Sequence, residues 1–239
     1  MHPLPRKTCA TGLLIPPLAL LAIALTSMAQ TERQVEVAPQ ASNEPLIFTK
    51  VALGDTPLMC GLVKGMDEYQ AVVPFHASDD WIENLRVEFL NRTVKPVAFV
   101  GLRLWFPDTG DGRSRAIRVY NVPIGRIPDV AAFGQDGHAL AQPSSYQRIW
   151  FAPGQTMAVQ LRDHIDRISS AVRASIPLSS VTRLKIDIAV CYFSDGTKWA
   201  GGGYRVPDRE HPGTWKVLPR TYFPGNVLAN WPPLPEPAK

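Results

Sequence analysis

The chain has little cysteine: three residues among 239, at positions 9, 60 and 191. That count excludes a disulfide-dense scaffold, and the spacing excludes both a C-x-x-C redox pair and a cysteine-based zinc site. Histidine is almost as scarce, and His2, His76, His138, His164 and His211 lie far apart along the chain. No H-E-x-x-H, G-x-S-x-G, S-x-x-K or G-x-x-x-x-G-K-[ST] pattern occurs, so the sequence signatures of a zinc protease, an α/β-hydrolase, a serine-lysine acylase and a P-loop are all missing. An excess of positive charge is missing too. The formal net charge is +4, and it falls to +2 without Arg6 and Lys7 near the start. A strongly basic face for nucleic acid is therefore not expected. The longest apolar run, Gly12 to Thr26, is broken by Pro16 and Pro17 and is shorter than the roughly 20 residues that cross a bilayer as a helix.

What is present begins with an export address. Arg6 and Lys7 form a positive n-region, Gly12 to Thr26 an apolar h-region, and Ser27 and Ala29 the small residues a signal peptidase reads. Residues 1–29 are expected to be a signal peptide cleaved after Ala29, the alternative being an uncleaved anchor. Cys9 precedes the h-region, which argues against a lipid-anchored cysteine. The expected location is secreted or periplasmic, with no membrane span once the signal is removed. An oxidising compartment permits a disulfide between Cys60 and Cys191. Its loop of about 130 residues would contribute on the order of 4–5 kcal/mol in the chain-entropy model. Two buried thiols packing as small hydrophobes are the other reading, and the sequence leaves both open.

Residues 30–45 are polar and read as a flexible lead. Residues 46–218 read as a single domain with a sizeable core. Residues 219–239, with Pro232, Pro233, Pro235 and Pro237, read as an extended, polyproline-like tail. Within the domain, apolar residues recur with period two, the mark of strands with one buried face. In Leu85 to Pro107, "LRVEFLNRTVKPVAFVGLRLWFP", the alternation stops at Asn91, resumes after Pro96 and shifts phase at Gly101. This predicts an antiparallel pair joined by a turn, with a bulge at the glycine. "RAIRVYNVP", "RIWFAPGQTMAVQL" and "RLKIDIAVCYF" supply further strands, and Asp195–Gly196 a hairpin turn. Only "RDHIDRISSAVRAS" changes period: Leu161, Ile165, Ile168 and Val172 share a helical stripe. The expected fold is mainly β, an immunoglobulin-like antiparallel β-sandwich with one short amphipathic helix in a crossover.

The succession "NLRVEFLNRTVKPVAFVGLRLWFP", "APGQTMAVQL", helical crossover and "IDIAVCYFSDGTKWAGGGYRVPD" resembles a group of secreted proteins of soil bacteria. Those proteins are similar to immunoglobulin-like or fibronectin III-like sandwiches. The resemblance covers about residues 45–218 and rests largely on turn chemistry. It implies fold and export, and no activity.

Four clusters offer chemistry on paper, and each has a plainer reading. Asp163, His164 and Asp166 in "RDHID" suggest a metal or acid–base group, but fit a solvated helix face. Asp108 and Asp111 in "PDTGDG" resemble part of a calcium loop without its closing Glu, and fit a turn. Gly201 to Gly203 suggest a phosphate cradle, but no helix follows them. "HASDDW" holds a His and two acids, and fits a turn before a strand. No metal or cofactor is therefore expected. Aromatics are the remaining lead: Trp199, Tyr204, Trp215, Tyr222, Phe223 and Trp231 crowd the last forty-one residues. The expected function is a non-catalytic binding module that contacts a protein or cell-envelope component. The alternative is a carbohydrate-binding protein using Trp199, Tyr204, Trp215 and Trp231 as platforms, with core packing as their plainer role. A hydrolase ranks third.

Overall fold

A computed structural model describes residues 31–38, 43–60, 71–110, 116–134, 136–208, 210–211, 213–219 and 221–225. The signal-peptide expectation and Trp231 lie outside them. Among the described residues, twelve strands form two sheets. The smaller holds β2 (Leu46–Leu53), β3 (Thr56–Cys60), β5 (Leu85–Asn91) and β8 (Thr156–Gln160), in the order β3-β2-β5-β8. The larger holds β1 (Thr31–Val37), β4 (Ala71–Ala77), β6 (Val97–Phe106), β7 (Arg118–Gly125), β9 (Arg183–Phe193), β10 (Lys198–Ala200), β11 (Gly203–Pro207) and β12 (Trp215–Val217). Strand β9 is its axis. One flank pairs with β6, which pairs in turn with β7. The other flank is shared: the first half of β9 runs parallel to β1, and its second half pairs antiparallel with β10. The expected mainly-β sandwich with a helical crossover is what forms. The helix α1 (Ile165–Arg173) lies between β8 of one sheet and β9 of the other. Its buried Ile168 and Val172, with Leu161 from the preceding turn, continue the core. No helix among the described residues is long and apolar enough to cross a membrane.

Each sheet contributes its inner residues to one core. Phe48, Val87 and Phe89 come from the smaller sheet, and Val35, Val100, Leu102, Leu104, Ile186 and Phe193 from the larger. Two bulges decide which residues point inward. Between β6 and β9, Gly101 faces Val190 while Leu102 faces Ile188, so Ala189 is the extra residue. The inward phase of β9 therefore passes from Leu184, Ile186 and Ile188 to Cys191 and Phe193. Simple alternation would have put Cys191 on the opposite face from Ile188; the bulge turns it into the core. A register shift does lie at Gly101, but on the β9 side: along β6 the inward phase runs unbroken through Val100, Leu102, Leu104 and Phe106, and it changes instead between Val97 and Phe99, where Ala98 is the extra residue.

Three expectations need correction. First, β5 and β6 are not partners. They belong to different sheets, and "NRTVKP" carries the chain from one to the other. The cause is Asn91, whose fully buried side chain organises the crossing. Its Nδ2 donates to the carbonyls of Lys95 at 2.9 Å and Phe151 at 3.0 Å. Its Oδ1 accepts from the Thr93 amide at 3.0 Å and the Thr93 hydroxyl at 2.8 Å. Phe151 also exchanges both backbone hydrogen bonds with Val97, each at 2.9 Å. Main-chain bonds that a hairpin would make between β5 and β6 are made to the 151–155 segment instead.

Second, the lead at 30–45 is not wholly flexible. Residues 31–37 form β1, paired on both sides. Val35 and Val37 are buried, and Arg33 is only 2 % exposed. The Arg33 guanidinium donates to the Val181 carbonyl at 2.6 Å and pairs with Asp79 at 2.8 Å. The alternation in "RQVEV" carried this strand, and its polar outer residues masked it. Third, the tail is not extended from 219. The Tyr222 amide donates to the Pro219 carbonyl, closing a turn. Tyr222 and Phe223 then pack edge-on against Tyr204, at 5.2 and 6.2 Å between ring centres. Arg92 lies over the Phe223 ring at 5.1 Å and Lys95 over that of Tyr222 at 5.9 Å, which fastens this segment to the crossing.

Candidate functional site: a tryptophan-rimmed groove

Trp150 is 67 % exposed and Val130 64 % exposed. A bare indole on a surface is uncommon, because a ring of that size is normally driven into a core or an interface. The two residues rim a groove of about 490 Å³ between two segments outside the ladders, 126–130 and 148–150, floored by Ala98 and Ser194. That is within the usual range for ligand sites. The sheet beneath fixes both walls. One wall is tied down where the Arg126 amide donates to the Ala98 carbonyl, and the other where Phe151 bridges to Val97. Two glycines permit this closeness. Gly125 has φ +89°, and a Cβ there would collide with the Ala98 carbonyl oxygen and with Ile149. Gly196 has φ +85°, and a Cβ would stand 2.6 Å from Val130 Cγ2.

The groove is positive on balance. Arg126 and Arg148 both approach the single carboxylate of Asp129, each at 3.5 Å. That spacing is long for a charge-assisted hydrogen bond. Most guanidinium donors therefore stay open, and the buried Arg126 Nε has no hydrogen-bond partner among the described residues. On the 126–130 wall the amide of Arg126 and both main-chain groups of Ile127 are already used, while those of 148–150 have no hydrogen-bond partner among the described residues. Gln142 both accepts from the Ile127 amide and donates to its carbonyl, each at 2.8 Å.

The residues singled out in the sequence are distributed differently. Trp199 and Tyr204 are 4 % and 1 % exposed, and with Cys191 they form one cross-strand row on the inner face of the larger sheet. They fill the core and present no platform. Trp215 is partly exposed, but Phe133 stacks on it at 5.1 Å and the Lys198 ammonium sits 3.5 Å from the ring centre, so its faces are engaged. Burial, with Arg205 across the strand adding repulsion, pushes the Lys198 ammonium down to about 8; attraction to the ring opposes that shift. Cys191 is a free, buried thiol in this structure, and burial holds its pKa well above the ordinary value. It is the hydrophobe-like thiol of the second reading, made inaccessible by the bulge that turned it inward.

Of the polar clusters, "RDHID" lines a second cleft of about 650 Å³ beside the groove, with Asp163, His164 and Asp166. Burial lowers the His164 pKa. No hydrogen bond joins His164 to a carboxylate or a nucleophile among the described residues, so no acid–base pair is assembled. Asp108 is structural: it accepts from the Thr182 amide and hydroxyl and from Arg183, at 2.6 to 2.9 Å. Its partner in the calcium reading, Asp111, lies outside the described residues. Gly201 and Gly202 form the turn between β10 and β11, and Gly203 opens β11. In "HASDDW", Asp79 pairs with Arg33, and Trp81 is fully buried with its Nε1 donating to the Val181 carbonyl. Asp208, Glu210 and His211 bring one ligand atom each within 4.8 Å. That is three ligands on an exposed loop, where calcium takes six or more.

Sequence reasoning passed over Trp150, reading it as strand. The signal was available: "QRIWFAP" alternates with Ile149 and Phe151 on one phase, leaving Trp150 on the wet one. Comparisons with protein-family models, curated proteins and solved structures return no match for this chain.

Proposed function

We propose that this protein is an exported, non-catalytic binding module of the cell envelope or extracellular space, and that the groove between 126–130 and 148–150 is its working surface. The observation that carries this reading is Trp150, a two-thirds exposed indole at the mouth of a groove whose arginines are under-used. Exposed apolar surface framed by polar groups marks interaction sites, and a rigid sandwich displaying short segments at its edge suits recognition. Export rests on the n-region, the h-region and the small residues before Gln30. The earlier glycan alternative moves with the aromatics: Trp199, Tyr204 and Trp215 are occupied, and Trp150 takes their place.

The test is to present tagged residues 30–239 to native envelope material with a short crosslinker and map the crosslinked positions. Crosslinks should concentrate on 126–130 and 148–150. A retained component crosslinked mainly to the free edges at β3, β4 or β12 would overturn the assignment of the surface.

A further inference from the structure

We propose that the groove binds an acidic polysaccharide, a polymer of carboxylate-bearing sugars; this rests on the groove being the working surface. Three features of the groove converge on that chemistry. Charge is the first. Two guanidiniums share one carboxylate at 3.5 Å each, which leaves one unmatched positive charge. Arg148 is 79 % exposed, with planar donors free to grip a carboxylate through two parallel hydrogen bonds. The second is the ring. The exposed face of Trp150 is flat and apolar, as is the C–H face of a sugar ring, and the ring stands on the same short segment as Arg148. A sugar resting on the indole would hold its carboxylate within reach of the neighbouring guanidinium, with Ser194 at the groove floor beneath it.

The third feature separates a sugar from an extended peptide. Peptides that lie along a protein usually add a strand, drawing affinity from main-chain hydrogen bonds. On the 126–127 wall and the strand beneath it those bonds are taken. Val97 and Phe151 satisfy each other, Ala98 accepts from Arg126, and Ile127 is satisfied on both sides by Gln142. That wall has side-chain recognition left to offer, and the donors of Arg126 and Arg148 favour an anion. Beyond Ile149, which lines both depressions, the second cleft presents Arg162 and Arg167 but also Asp163 and Asp166, so the positive surplus belongs to the first groove.

The experiment measures retention of the mature chain on immobilised polygalacturonate, on the same polymer after carboxyl reduction, and on a neutral glucan, at low and at moderate salt. The expected result is retention on the polyuronate alone, weakened by salt, and lost about tenfold or more in Arg148→Gln and in Trp150→Ala. Both side chains are largely exposed, so neither change should disturb folding, and equal melting temperatures confirm this. Equal retention on the neutral or carboxyl-reduced polymer would overturn the acidic specificity and leave the groove as the working surface. No retention on any polymer, with groove crosslinks to an envelope protein intact, would overturn the polysaccharide and leave the groove. Polyuronate retention unchanged in both variants would overturn both.

Discussion

Trp199→Ala is expected to lower the unfolding free energy by about 3–5 kcal/mol, the range for deleting a large buried ring, and Trp150→Ala to change it by less than about 0.5 kcal/mol. The difference follows from position. Trp199 is 4 % exposed, in the inner row between Cys191 and Tyr204, where the rings of Phe193 and Tyr204 stack at 6.0 Å. Removing it leaves a void that neighbours from two sheets cannot all collapse to fill. Its indole nitrogen has no hydrogen-bond partner among the described residues, so the loss is one of packing. Trp150 meets water over two thirds of its surface and gives folding little. Urea unfolding of both variants measures the contrast. Similar destabilisation by the two would mean that Trp150 is a structural residue and the groove an incidental gap.

The second large effect is at Asn91. Asn91→Ala should cost about 2–4 kcal/mol, because the side chain makes four buried hydrogen bonds and no water can replace it. The partners are not equally harmed. The Phe151 carbonyl keeps the Val97 amide, and the Lys95 carbonyl keeps the Thr93 hydroxyl at 3.0 Å. The Thr93 amide loses its acceptor in a site with no exposure, and a buried orphan of that kind costs about 1–3 kcal/mol by itself. The denaturation midpoint should fall with an unchanged slope, since the surface exposed on unfolding is the same. Asn91→Asp should be comparably harmful: it supplies the acceptor for Thr93 but turns a carboxylate toward two carbonyls. An unfolding free energy within about 0.5 kcal/mol of wild type for Asn91→Ala would show that the crossing is held by the 151–155 bridges alone.

These two residues mark what could and could not be read from the chain. Period two along β5, β6 and β9 is imposed by a half-buried sheet, so mainly-β architecture, the helix stripe and the Asp195–Gly196 hairpin were legible. Partner choice was not. Alternation says that a strand has an inner face and is silent about which sheet it joins, so a turn built on Asn91 looked like a hairpin until its side-chain bonds were seen to cross between sheets. Cys191 shows the same limit: one extra residue, Ala189, inverts the phase, and composition does not mark it. The site was harder still. Aromatic crowding near the C-terminus drew attention to Trp199 and Tyr204, yet ring density is as much a sign of core as of binding. The informative property of Trp150 is exposure beside two arginines from separate segments, and only the fold brings 126, 129 and 148 together.

The most direct measurement of the central claim is retention of the mature chain and its Trp150→Ala variant on native envelope material, side by side, with melting temperatures recorded for both. The account predicts equal melting temperatures and at least about tenfold weaker retention for the variant, equivalent to one exposed ring giving up a contact of about 1.4 kcal/mol or more. Retention that stays at the wild-type level, with the fold equally intact, would contradict it and move the working surface elsewhere on the molecule.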